Sequence, residues 1–170
     1  MDIQIRDVKL SDAAGLADIY SYYVTDTAIS FEYDAPDAAE FERRIRTVTK
    51  RFPYIVAEAD GMTVGFAYAH PFIDRAAYAH CAEVTVYISR EYMREGIGRA
   101  LYTELESRLK TMGIKQLYAC VAETENEDEY LTNNSPDFHR HMGYTTVGVF
   151  KNSGFKFNHY YDMIYMEKHI

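Results

Sequence analysis

A chain of 170 residues, 48% hydrophobic and 26% charged, holds enough apolar material for one packed domain and too much for a disordered chain. Its net charge of −8 sets aside a general nucleic-acid binder, and no apolar run reaches the roughly 20 residues of a membrane helix. Cys81 and Cys120 give neither a disulfide framework nor metal-ligand spacing, and "MDIQIRDVKLSD" is too charged for a leader. A cytoplasmic protein without metal, folded as a single domain over residues 1–170, is expected.

"IQIRDV" reads as a strand and "LSDAAGLADIYSYYVTD" as a helix with Ser11 or Asp12 near its start. A loop through "ISFEYDAP" leads to a second helix, "DAAEFERRIRTVTKR". "YIVAEAD" and "MTVGFAYAHPF" predict a hairpin around Asp60-Gly61, and "CAEVTVYIS" a further strand. A glycine-started helix and the strand "QLYACVA" follow. The polar stretch "ETENEDEYLTNNSPD" reads as a solvated loop, "FHRHMG" as a short helix ended by Gly143, and "YTTVGVF" and "YYDMIYMEK" as the last strands. The order is α/β without a regular βαβ series.

The segment "EYMREGIGRALYTELESRL" poses the sharpest question. Ile97, Leu101, Leu105, Leu109 and Met112 share a core face, and Glu104–Arg108 and Glu106–Lys110 are spaced as i,i+4 pairs. Yet no Ser, Thr, Asp or Asn stands immediately before Gly96 and Gly98 to cap the first amides. Bare amides at a helix start suit an anion, and Arg90, Arg94 and Arg99 lie beside them; a flexible helix entry is the plain alternative. A P-loop is excluded, since Arg99 and Ala100 follow Gly98. A dinucleotide fingerprint fits poorly. Leu101 stands where a small residue belongs, and the link from Ile88 to Gly96 is long, although Glu123 could serve as a ribose-binding acid.

Alternation in "CAEVTVYI" puts Ala82, Val84, Val86 and Ile88 on one face, and Cys81, Glu83, Thr85 and Tyr87 on the other. A mid-strand carboxylate such as Glu83 needs solvent or a partner. Cys81 reads as a small packed thiol, because the adjacent His80 points to the opposite face. His139 and His141 diverge on a helix and make a poor metal pair. Arg75 suits bidentate capture of a carboxylate or phosphinate, or is a solvated loop residue.

"TVYISREYMREGIGRALYTEL" resembles the acetyl-CoA motif of the GNAT superfamily of N-acetyltransferases. "TAISFEYDAP", "YIVAEADGMTVGFAYAHPF", "AEVTVYIS", "FHRHMGY" and "GFKFNHYYDM" resemble, in order, segments of its phosphinothricin and methionine-sulfoximine acetyltransferase branch. The resemblance implies a mostly antiparallel, twisted sheet of about six to seven strands flanked by about four helices. It implies transfer of acetyl from acetyl-CoA to the primary amine of a small amino-acid-like substrate, by direct attack with Glu83 as general base and His139 as proton donor to the thiolate. Acetyl-CoA would lie along Val86, Tyr87 and Ile88 and on the turn of Arg94, Glu95, Gly96, Ile97, Gly98 and Arg99. Phe31, Glu32, Arg75, Tyr78 and Lys156 would line the substrate pocket, Lys156 from either subunit of a homodimer. Met93 departs from the usual Gln or Arg, Thr132 from the usual Asn, and "HYYD" from a Trp-containing version. A non-catalytic acyl-CoA-binding sensor is the alternative from another class.

Overall fold

The structure, a computed structural model, describes residues 3–170. Seven strands form one sheet: β1 (Ile3–Asp7), β2 (Tyr54–Ala59), β3 (Met62–Pro71), β4 (Cys81–Ile88), β5 (Gln116–Glu123), β6 (Thr145–Lys156) and β7 (His159–His169). Their spatial order is β1-β2-β3-β4-β5-β7-β6, and every pairing is antiparallel except β4 with β5. Helices α1 (Ala13–Thr25) and α2 (Ala38–Val48) cover one face, and α3 (Ile97–Thr111) and α4 (Asn134–His141) pack on the other.

Local chemistry accounts for the elements. Asp60 and Gly61 both take positive φ, 51° and 80°, which lets a two-residue turn match the twist of β2 and β3. Asp37 caps α2 by accepting from the Glu40 amide at 2.8 Å. In α3 the buried side is Ile97, Leu101, Leu105 and Leu109, packed with Val84, Leu117 and Ile164. Leu16, Tyr20, Phe41, Val56 and Phe66 build the core beneath α1 and α2. The alternation expected along β4 holds: Val84, Val86 and Ile88 join the α3 core, while Tyr87 packs under α1.

Four details differ from the sequence reading. Met112 lies just past the end of α3 and is exposed, so the core stripe stops at Leu109. Glu106 does not pair with Lys110; it accepts from Lys168 at 2.6 Å and from the Tyr144 hydroxyl at 3.0 Å, which ties α3 to the last strands. α4 starts at Asn134, inside the stretch taken as loop, because Asn133 anchors that loop through both backbone groups of Thr124. β6 continues to Lys156, past register shifts at Thr146/Gly148 and Phe150/Gly154 that a periodic pattern cannot show.

The one parallel pairing is short. β4 and β5 are in register only from Cys81↔Gln116 to Glu83↔Tyr118, and then they diverge. The wedge between them opens toward the start of α3.

Candidate active site

A groove of about 610 Å³ runs from the start of α3 to Val86 and Ile88 of β4, and a smaller cavity of about 50 Å³ that shares Val86 lies in the wedge against Cys120 and Val121. Val86 and Ile88 form one wall, Tyr22 and Tyr23 of α1 and Tyr130 to Thr132 another, and Phe138 of α4 a third. Its polar end is the turn Arg94, Gly96, Gly98 and Arg99, with His141 facing it. Gly96 is the residue before α3, at φ +80°, and no side chain caps the helix. The first amides are therefore left for an anion. The glycines act differently. A Cβ on Gly96 would meet nothing but would sit in a left-handed conformation; one on Gly98 would come 3.3 Å from the Phe138 ring. Glu95 lies in the turn outside the groove lining, and the Tyr87 side chain is turned to the α1 face among Tyr20, Tyr23 and Phe66.

The wedge leaves backbone groups bare. Ile88 N–H donates to the Tyr23 hydroxyl at 3.3 Å, and that hydroxyl donates to the Ile88 carbonyl at 2.6 Å. Both Ile88 groups thus point away from β3, and strand alternation sends those of Val86 the same way. Pro71, which has no N–H, occupies a position of matching parity opposite Ala82. Beyond the ladder's last pair, Val86, paired with Ala67 of β3, has no partner on the β5 side.

Glu83 sits where the ladder ends, its side chain only 16% exposed. Tyr165 of β7 donates a long bond to its Oε2 at 3.5 Å, and His70 of β3, its register partner, places Nε2 3.7 Å from its Oε1. Burial raises the pKa of Glu83, and the His70 charge and the Tyr165 bond oppose that rise only in part. A carboxyl that burial shifts upward holds a proton more readily than a free one, as a general base requires. His70 was not singled out from sequence; only the β3–β4 register brings it to Glu83.

The remaining candidates divide. Tyr78 adjoins an aromatic wall beside Glu83, in which Phe72 stacks on Tyr118 at 3.8 Å and meets Tyr165 edge-on. Arg75 is exposed on the β3–β4 loop. Glu32 is engaged, accepting from Tyr20 at 3.0 Å and from Arg44 at 3.1 Å. Phe31 packs so closely over Gly154 that a Cβ there would lie 2.4 Å from its ring. Gly154 therefore sets the place of Phe31, a dependence with no local sequence signal.

Two assignments are corrected. Lys156 is buried, and its three N–H donors go to the carbonyls of Val24, Thr27 and Ser30 at 2.5, 2.8 and 2.7 Å. An ammonium with every donor engaged has none left for a substrate anion; here it clamps the end of α1. His139 is buried as well. Nδ1 bonds to the Ser135 carbonyl at 2.8 Å, so it carries the hydrogen, and Nε2 accepts from the Tyr102 hydroxyl at 3.0 Å. Burial brings its pKa down to about 4, outweighing the Ser135 bond. A neutral ring with both nitrogens occupied holds α4 against α3 and has no proton ready for a thiolate. Cys81 is buried, and burial raises its thiol pKa, the reverse of an activated nucleophile.

An acetyltransferase (GNAT) domain model matches residues 5–165. The chain belongs to the GNAT acetyltransferases. Its relatives include the phosphinothricin N-acetyltransferase of Alcaligenes faecalis, 33% identical over 96% of this chain and 81% of that protein. That of Streptomyces viridochromogenes is 29% identical over 98% of this chain and 87% of that one. The crystal structure of a Sinorhizobium meliloti phosphinothricin acetyltransferase with acetyl-CoA matches this GNAT chain with a TM-score of 0.88 and 30% identity. It covers 100% of this chain and 89% of that one. The GNAT fold and an acetyltransferase activity, both expected from the resemblance, stand. Among the described residues no group of His, Cys, Asp or Glu is placed to hold a metal ion, and no helix is long and apolar enough to cross a membrane.

Proposed function

We propose that this protein transfers acetyl from acetyl-CoA to the primary amine of a small amino-acid-like substrate of the phosphinothricin or methionine sulfoximine type, with Glu83 as general base. One observation carries the reading. A single groove joins an uncapped helix start to Val86 of β4, three residues along the same strand from the desolvated carboxylate of Glu83. The donor set fits the cofactor. The amides after Gly96, with Arg94, Arg99 and His141, suit its phosphates, and the bare Val86 backbone suits its amide-bearing arm. Met93, although it replaces a usual polar residue, still lines this groove, as does Thr132.

When bound, acetyl-CoA supplies an activated acyl carbon. Glu83 takes the proton of the incoming ammonium and leaves a neutral amine to attack. Arg75 is the cation free to hold the substrate's acidic group, while Phe31, Tyr78 and the Phe72–Tyr118 stack enclose its body. Residues 1–170 would act as one domain in the cytoplasm, without a metal, and two free thiols suit a reducing compartment. A second copy would cover β6, an edge strand on which Val147, Val149 and Phe150 are about half exposed.

The test is thiol release from acetyl-CoA across a panel of amino acids and their phosphinate and sulfoximine analogues. Turnover confined to α-amines with an acidic or sulfoximine head supports the reading. Coenzyme A binding without acetylation of any amine would leave the non-catalytic alternative.

A further inference from the structure

Glu83 accepts one proton per turnover and must lose it before the next. The groups facing it are His70 from β3, Tyr165 from β7, Tyr118 and Cys120 from β5 and, further off, Tyr102 from α3. Tyr165, Cys120 and Tyr102 are all shifted upward by burial, so none takes up a proton near neutral pH. His70 is the exception by its bonding. Its Nδ1 lies 3.0 Å from the Pro71 carbonyl, which can only accept, so Nδ1 carries a hydrogen. Nε2 is then a lone pair when the ring is neutral and an N–H when it is charged, and it faces Glu83 Oε1 at 3.7 Å. A lone pair and a carboxylate repel each other; with one proton between them they attract. At 3.7 Å the two make an ion-pair contact rather than a hydrogen bond, and one proton held by the pair favours it. Its two ends also differ in access, since Glu83 is 16% exposed and His70 38%.

We infer that His70 is the relay that clears Glu83. The amine N–H bond breaks as the Glu83 O–H bond forms. As the two side chains close from 3.7 Å to hydrogen-bond distance the proton passes to His70 Nε2, giving a carboxylate and an imidazolium, and it leaves to water from the more exposed ring. No other reactant is needed, and the proton count closes. The inference rests on Glu83 being the base. His70 acts through Glu83 and touches no reacting atom, so it is a positioning residue.

Two measurements test it. The first needs no activity: NMR titration of the His70 ring in the wild type and in Glu83→Gln. Loss of the facing carboxylate should favour the neutral ring, and ring signals identical in the two proteins across the series would overturn the pairing. The second is the pH profile of kcat/KM in His70→Gln and His70→Ala. The acid limb should move up, because an imidazolium no longer favours the Glu83 carboxylate. At neutral pH kcat should fall about tenfold, with the amine KM and Tm held. Free imidazole should restore His70→Ala, and sodium chloride at equal ionic strength should not. A wild-type profile, or a loss that imidazole leaves untouched and that follows Tm, would overturn the relay. A wild-type enzyme that acetylates no amine would instead overturn the functional reading, while the NMR titration still decides the pair.

Discussion

Glu83→Gln is the most informative single change. It keeps the shape of the side chain, the Tyr165 contact and the backbone register, and it removes the proton acceptor. Loss of a general base typically costs roughly 10²- to 10⁴-fold in rate, about 3 to 5.5 kcal/mol of barrier. The lower part of that range is expected here, about 10²- to 10³-fold, because His70 lies only 3.7 Å away and water reaches the cleft. The acetyl-CoA KM should stay within about twofold, since no groove residue changes. The assay is thiol release across a pH series. The wild type should show an acid limb set by a carboxyl that burial has raised; in the variant that limb should vanish and the deficit shrink as the free amine becomes abundant. Stability supplies a second sign. A carboxyl whose folded pKa lies above its unfolded value binds its proton more tightly when folded, so stability declines as pH rises through that window. Glutamine removes the decline. The variant's Tm should therefore exceed the wild type's at neutral pH, and the two should converge on acidification. Wild-type kcat near pH 7, or a loss of activity that tracks a fall in Tm, would refute the assignment.

Lys156→Met should destabilise the fold by about 2–4 kcal/mol in urea titrations, because it strands three buried carbonyls at once. Gly154→Ala should displace Phe31 and raise the amine KM several-fold at constant acetyl-CoA KM, with a stability cost of about 1–3 kcal/mol. Gly96→Ala should cost about 1–2 kcal/mol from its left-handed backbone alone, and Gly98→Val should weaken coenzyme A binding in calorimetry by pressing on Phe138; unchanged affinity in both would make the turn merely structural. Tyr23→Phe should leave Ile88 unpaired and weaken coenzyme A more than adenosine 3′,5′-bisphosphate, and equal loss for both ligands would assign Tyr23 to packing.

What could be read from sequence was local. The β2–β3 turn rests on two adjacent residues, the α3 core on a three–four spacing, and the facing of Glu83 on strand alternation. What could not be read depends on residues far apart in the chain. His70 meets Glu83 only through the β3–β4 register, and Gly154 meets Phe31 only after β6 bends at its bulge. Lys156 and His139 show the commoner error. A charged or titratable side chain looks available in the sequence, but burial and complete hydrogen bonding commit it to the fold.

The clamp at Lys156 also makes the order of synthesis matter. The carbonyls it holds belong to residues that leave the ribosome well before it, and the ammonium arrives 132 positions after the first of them. Until the closing hairpin emerges, the carbonyls of Val24, Thr27 and Ser30 lack the ammonium that draws them together. A nascent or truncated chain can thus form its first helix and hairpin and still offer no finished cleft. Contacts of such long separation slow the search for the native state, so the β6–β7 hairpin, made long after α1, sets when the enzyme becomes competent.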